Sequence, residues 1–338
     1  YMTDGFHISA SSSLVYSEND MSQADINEIM QQYWGVEAYH VVDDPNNDYI
    51  EHIDCWGKYL SPSKLLIREV PQSHSQYDEI EEVVTYFTNQ TNAFSEPWEI
   101  YRVNTPSNQP YTNSLIVNEK VFVPIVSSSW DDEALAVYQE ALPGYEILPV
   151  TGDWLSTDAV HCRAKGIPDL EMLQIFHNPI NNQDTPLNEY RVVTIIDDLS
   201  ETGLVFEELK VFWKNNSMND YESILMNVCP EDIPDCYDAY IPGQSSDMEI
   251  SYYIHAADNS GRAETLPMAG YYSFFIAGFA SGDVNMDGTL NVFDIIAVVN
   301  HMLETEPLTE QQTDIADMNQ DGVIDVFDIV ELVDLIVG

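Results

Sequence analysis

Apolar residues fall on one helical face three times in the first half of the chain: Ile26, Ile29, Met30 and Tyr33; Ile80, Val83, Val84 and Phe87; Leu135, Tyr138 and Leu142. This three-and-four spacing predicts amphipathic helices. They recur about every 54 residues, a period that marks repeat architecture. A strand-like run precedes each helix ("SSLVYSE", "SKLLIREV", "KVFVPIV") and another follows it ("EAYHVV", "WEIYRV", "YEILPV"). Ser22 with Asp25 reads as the start of the first helix, and Gly144 as the end of the third.

Beyond residue 186 the helical period gives way to short alternating runs, "YRVVTII", "ELKVFW", "DAYIP", "MEISYYIHAADNSG" and "YYSFFIAG". With turn signals such as "DNSG" between them, they predict a small β-sandwich over 187–278. Residues 279–338 then carry two apolar helical runs, "VFDIIAVVNHML" and "VFDIVELVDLIVG". The expected architecture is therefore an α+β multidomain protein: α/β repeats over 1–186, a sandwich, and a small all-α module.

Each of those last two helices follows a twelve-residue loop, "DVNMDGTLNVFD" and "DMNQDGVIDVFD". Both match the Asp-x-Asn-x-Asp-Gly calcium pattern, with oxygen ligands at positions 1, 3, 5, 9 and 12, a backbone carbonyl at 7, and glycine at 6 for the turn. The predicted ligands are Asp283, Asn285, Asp287, Asn291 and Asp294, then Asp317, Asn319, Asp321, Asp325 and Asp328. Calcium is expected as a structural ion.

Composition narrows the function. With 338 residues, 44% hydrophobic, the chain is globular, and no run is apolar enough to span a membrane. Asp and Glu total 58 against 11 Lys and Arg, a formal charge of −47. Such a field repels nucleic acid and anionic lipid and draws in cations; most of the acids are read simply as solvated surface. Four cysteines make no disulfide framework, and Cys229 with Cys236 are read equally as a pair or as two free thiols.

Candidate chemistry sits in the polar loops after the second strand of each repeat. The first loop delivers His52 and Asp54, the second Asn113 and the third Cys162, at nearly the same offset. Singly, each has an ordinary structural reading. Their shared phase favours a site, because equivalent points of repeats set around a common axis meet at its centre. An extended "EHIDCW" would put His52 and Asp54 on one face and leave Cys55 to packing.

The runs "YIEHIDCWGKYLSPSKLLIREVP", "QPYTNSLIVNEKVFVP", "LPGYEILPV" and "TDAVHCRAKG" closely resemble the bacterial peptidylarginine deiminases, in the pentein superfamily that also holds agmatine deiminase. The resemblance covers about residues 1–186. It implies a partial pentein propeller of ββαβ units, with Cys162 as nucleophile and His52 as general acid/base. Asp54 is implied as the guanidinium-binding carboxylate and Asn113 as an active-site amide, with Tyr49 joining Asp54 and Asn113 in substrate binding. "YMTDG" looks like the tail of the family's "GGNYMTDG" motif, so about two of the family's five units are expected upstream. The run "YYIHAADNSGRAETLP" resembles the immunoglobulin-like domain that follows these catalytic domains. Residues 279–338 resemble a type I dockerin, which implies a cohesin-like partner. Val292-Phe293 and Val326-Phe327 stand where dockerins often carry polar recognition residues, a departure that tells against a standard cellulosomal partner; the plainer expectation is that both pairs pack inside the module.

The expected function is hydrolytic deimination of peptidyl-arginine through a thiouronium intermediate, with no metal in catalysis, by a secreted or cell-surface protein. The alternatives are a deiminase for agmatine or free arginine, and a non-catalytic surface or cargo protein.

Overall fold

The computed structural model describes residues 1–167 and 169–337, the side chains of 310 and 311 excepted. Two compact units divide the chain, residues 1–170 with 267–270 and residues 171–266 with 271–338.

The first unit is one motif built three times. The first copy runs β1 (Met2–Thr3), β2 (Ile8–Ser12), α1 (Leu14–Ser17), α2 (Gln23–Trp34) and β3 (Ala38–Val42). The second is β4 (Gly57–Tyr59), β5 (Lys64–Glu69), α3 (Tyr77–Thr88) and β6 (Glu99–Asn104), and the third is β7 (Leu115–Val117), β8 (Lys120–Ile125), α4 (Asp131–Ala141) and β9 (Glu146–Thr151). In every copy the first two strands are antiparallel and the second and third, joined across the helix, are parallel. A helical crossover is what parallel neighbours require.

Neighbouring copies share their cores. Leu65 and Ile67 of β5 pack with Ile8, Val42, Ile80 and Phe87, while Leu66 between them packs with Val103, Val121 and Tyr138. Alternation along one strand thus serves two cores. Each such side chain removed from water contributes about 1.5–3 kcal/mol.

Two local expectations fail in the first copy. Strand β2 ends at Ser12, and "LVYS" turns into helix, because parallel pairing runs only from Ile8↔Ala38 to Ser12↔Val42. Helix α2 is capped as expected, Ser22 Oγ accepting from the Asp25 backbone N–H at 3.2 Å, yet of its apolar face only Ile26 is buried. Tyr33 is 79% exposed. The strand beneath reads "ISASS" and offers few large side chains for a helix to pack on, unlike "KLLIRE" and "KVFVPI" under α3 and α4.

In the second unit two antiparallel sheets enclose an apolar core that includes Tyr190, Ile196, Trp213, Tyr252 and Phe274. One sheet has β10 (Leu173–Phe176), β11 (Glu189–Asp198), β14 (Asn227–Val228) and β15 (Cys236–Pro242), in the order β10-β11-β15-β14. The other has β12 (Lys210–Asn215), β13 (Glu222–Leu225), β16 (Met248–Ala257), β17 (Ala263–Leu266) and β18 (Tyr272–Ile276). Strand β10 pairs with β11, so the boundary expected at 186/187 moves to about residue 170. Cys229 and Cys236 form a disulfide.

The C-terminal helices are α5 (Val292–Met302), α6 (Glu310–Ala316) and α7 (Val326–Val337), around a small core of Val284, Val298, Ala316 and Leu332. Phe293 and Phe327 are 62% and 65% exposed, and Val292 and Val326 are exposed with them. This corrects the expectation that both pairs pack inside: they start their helices, ahead of the buried stripe that begins at Asp294 and Asp328. Among the described residues no helix is long and apolar enough to cross a membrane.

Candidate active site and calcium loops

Three loops, one after the last strand of each copy in the first unit, bring His52, Asp54, Asn113 and Cys162 together. The first does so through a turn, not through extended backbone. Ile53–Cys55 is a 3-10 turn, closed by hydrogen bonds from Cys55 N–H to His52 O and from Trp56 N–H to Ile53 O. Ile53, Asp54 and Cys55 are all buried, so the expected two-face alternation does not occur. Asp48 Oδ1 accepts from the backbone N–H of Ile50 and Glu51, and Glu51 takes φ +48° just before His52, a left-handed backbone uncommon outside glycine.

Arg68 of β5 fastens that loop to the second one. Its buried guanidinium donates to Asn46 Oδ1 at 2.6 Å, to Thr105 Oγ1 at 3.0 Å and to Asn108. Asn46 in turn donates to the Cys55 carbonyl. Thr112 Oγ1 donates to the Asp54 carbonyl at 2.9 Å. The second loop is clamped from α4: Tyr138 Oη donates to Tyr111 O and bonds Ser114 Oγ, and Tyr111 Oη donates to Asp131.

Asn113, 0% exposed, holds the loop that carries Cys162. Its Oδ1 accepts from the backbone N–H of His161 at 2.9 Å and of Cys162 at 3.2 Å, and its Nδ2 lies 3.1 Å from Cys162 Sγ. Cys162 Sγ is solvent-accessible and 3.4 Å from Asp54 Oδ2. His52 Nδ1 is 3.9 Å from Asp54 Oδ1, with 58% of its side chain exposed. Tyr49, expected in the site, is 87% exposed and bonds none of these groups.

His161 is the site residue that the sequence reading passed over. Its Nδ1 lies 2.7 Å from Asp54 Oδ2, the oxygen nearest the thiol. Only its adjacency to Cys162 signalled it.

Burial pushes the Asp54 carboxyl up, but hydrogen bonding and charge from His161, with Cys162 and His52, outweigh this and hold it below the ordinary range. Asp54 is therefore an anion. Burial pushes the Cys162 thiol up; Asn113's hydrogen bond opposes that, and the Asp54 charge adds to it. Burial also drives the Cys55 thiol far up, which leaves Cys55 to packing. Lys58, on β4 beside this loop, is buried; among the described residues it has no hydrogen bond or ion pair, and burial lowers its pKa to about 8 against the pull of Asp54.

Residues 3–168 match the model of the Porphyromonas-type peptidyl-arginine deiminase family. The chain also carries a dockerin type I domain, matched over residues 281–336. Among solved structures it is similar to a Porphyromonas gingivalis protein provisionally called an arginine deiminase, at 19% identity and TM-score 0.44, over 48% of this chain and 53% of that one. It is also similar to the agmatine deiminase of Enterococcus faecalis, at 18% identity and TM-score 0.41, over 44% and 50%. The chain thus spans about half the length of these proteins.

The ten predicted calcium ligands fall in two loops of matching geometry. Asp283 Oδ2 accepts from Gly288 N–H and Asp317 Oδ2 from Gly322 N–H. Asp294 accepts from the N–H of Asn285 and Asn291, and Asp328 from those of Met318, Asn319 and Asp325. Gly288 and Gly322 take φ +79° and +82°, where a Cβ would be strained. Asp283, Asp294 and Asp328 are buried, and residues 279–338 hold thirteen acids without one Lys or Arg. The donor set fits a hard, oxygen-seeking cation of the calcium kind.

Proposed function

We propose that this chain belongs to a secreted deiminase that hydrolyses the guanidinium of peptidyl-arginine, tethered through its C-terminal dockerin. The observation that carries the reading is the bridge Asn113 makes between the loops: it sets an accessible thiol 3.4 Å from a buried carboxylate anion.

A guanidinium carbon is a poor electrophile, its charge spread over three nitrogens. Asp54 accepts the planar fork's N–H donors and fixes the carbon beside Cys162 Sγ. To do so it must share or release the hydrogen bond to His161, so His161 orients the empty carboxylate. The arriving cation offsets the Asp54 charge that disfavours thiolate, so substrate and nucleophile activate together. The thiolate adds to the carbon, and ammonia leaves once His52 has protonated it. The resulting thiouronium takes up one water, deprotonated by the same imidazole, and the C–S bond breaks to give a neutral ureido group and the free thiol. Arginine plus water becomes citrulline plus ammonium.

In the tail, Asp283, Asn285, Asp287, Asn291 and Asp294, and their counterparts Asp317 to Asp328, would hold calcium. Bound calcium supplies positive charge that lets these carboxylates share a loop. The exposed Val-Phe pairs at the head of α5 and α7 suit an apolar cohesin-class partner. The Cys229–Cys236 disulfide fits an oxidising, extracellular setting.

The test compares citrulline formation from arginine-containing peptides, free arginine and agmatine by protein carrying this chain. Turnover of peptide that is lost in Cys162→Ala supports the reading. Preference for agmatine would move the substrate to the small-molecule class, and peptide turnover surviving in Cys162→Ala would overturn the nucleophile.

A further inference from the structure

The catalytic cluster has a second capacity that does not depend on turnover. His52, Asp54 and Cys162 each offer one ligand atom, and these atoms lie within 4.8 Å of one another. We propose that this trio captures a zinc-class divalent cation, which closes the site against guanidinium.

The donor set is one nitrogen, one oxygen and one sulfur. Hard cations such as calcium and magnesium prefer all-oxygen shells, whereas imidazole with thiolate selects zinc and its neighbours. The chain therefore sorts two metals by donor chemistry: oxygen-only loops in the tail and a mixed N, O, S cluster in the first unit. Zinc bonds of about 2.0–2.3 Å in a tetrahedron set ligand atoms roughly 3.5 Å apart. Cys162 Sγ to Asp54 Oδ2 is 3.4 Å; His52 Nδ1 lies 3.9 Å from the other oxygen, Oδ1, and one ligand atom from each of the three residues falls within 4.8 Å of the other two. Closing the widest gap requires a shift of about 1 Å, within the swing of the exposed His52 ring.

The surroundings resemble the supports of a metal site. Asn113 Nδ2 steadies the sulfur at 3.1 Å, and His161 Nδ1 orients the carboxylate at 2.7 Å; such outer partners hold ligands in place. Three protein ligands leave one position for water, as in zinc sites that stay open. Binding exchanges the thiol proton for the metal: the S–H bond breaks, a sulfur–metal bond forms, and the proton passes to solvent. The formal charge of −47 concentrates cations around the molecule. A bound ion would occupy both the sulfur and the carboxylate that a guanidinium needs, so the site would be switched off reversibly.

The experiment uses the whole chain saturated with calcium, so that the tail's oxygen sites are filled, and titrates it with Co2+ as a coloured stand-in for zinc. One Co2+ per chain with a sulfur-to-metal charge-transfer band is expected, displaced by Zn2+ and lost in Cys162→Ala. His161→Ala should weaken the metal about 10–100-fold. In parallel, Zn2+ should protect Cys162 of the unmodified protein from alkylation, and a chelator should restore the rate. Absence of a thiolate band in folded, unmodified protein would overturn the proposal. So would a band that persists in Cys162→Ala, or alkylation indifferent to Zn2+. None of these readouts requires deimination, so failure of the metal site and failure of the deiminase reading are told apart.

Discussion

Replacing Asp54 with Asn should make Cys162 more reactive while destroying deimination. The substitution removes one negative charge 3.4 Å from Cys162 Sγ and keeps a side chain of the same shape, whose oxygen can still accept from His161. Two unit charges 4 Å apart interact by about 1 kcal/mol under full water screening and about 4 kcal/mol near a protein surface. Cys162 is solvent-accessible, so the lower part of that range applies. About 1–2 kcal/mol is a factor of about 5–30 in the thiolate population. The sign is fixed: an anion beside the sulfur disfavours thiolate, so removing it speeds thiolate-dependent alkylation at neutral pH. Substrate moves the other way, since the guanidinium loses its charged acceptor. The assay is iodoacetamide labelling followed by peptide mapping, with citrulline measured on the same samples. Cys55 is buried and its thiol driven far up, and Cys229 with Cys236 are bonded, so the label reads Cys162. Asn113→Ala, which loses the hydrogen bond that favours thiolate, should slow labelling. Labelling unchanged or slower in folded Asp54→Asn protein would refute the electrostatic account.

Lys58→Met should raise the melting temperature of the first unit at pH 7. Lys58 titrates at about 8 when folded against 10.5 when free, so the gain is on the order of 3 kcal/mol. Between those pH values the unfolded chain binds the extra proton, so wild-type stability rises with pH and the gain should shrink; a gain independent of pH would point to packing alone. Chelating calcium should lower helical circular dichroism by melting α5 and α7, reversibly, while Cys162 keeps its labelling rate; unchanged dichroism would mean that the tail's small core holds without the ion. His52→Ala should cut deimination by several orders of magnitude without abolishing Cys162 labelling, and near-normal turnover would remove this histidine from acid/base catalysis.

The repeat was legible because its evidence is local. Each helix shows a three-and-four apolar stripe and each strand a compact apolar run, and the near-constant spacing marks equivalent loops without any knowledge of packing. The paired loops that match the calcium pattern were legible for the same reason: the candidate ligands and the glycine lie within twelve consecutive residues, so the loop geometry is written in the sequence. Helix α2 shows where this ends. Its stripe at Ile29, Met30 and Tyr33 is as regular as that of α3, but burial depends on what the strand beneath offers, and "ISASS" offers little.

The site divides along the same line. The order of residues along the chain sets which side chains reach the loop positions: His52, Asp54, Asn113 and Cys162. How they meet depends on contacts made in the folded chain. The buried Arg68 strut, the Tyr138 clamp and the pairing of His161 with Asp54 join residues 22 to 107 positions apart. No periodicity encodes such pairs. They arise because a buried guanidinium, hydroxyl or carboxylate must find a partner once water is excluded, and the partner is whichever group folding brings within reach. The same holds for the Val-Phe pairs of the tail: their apolar character is sequence, but their exposure follows from where each helix starts relative to its own core.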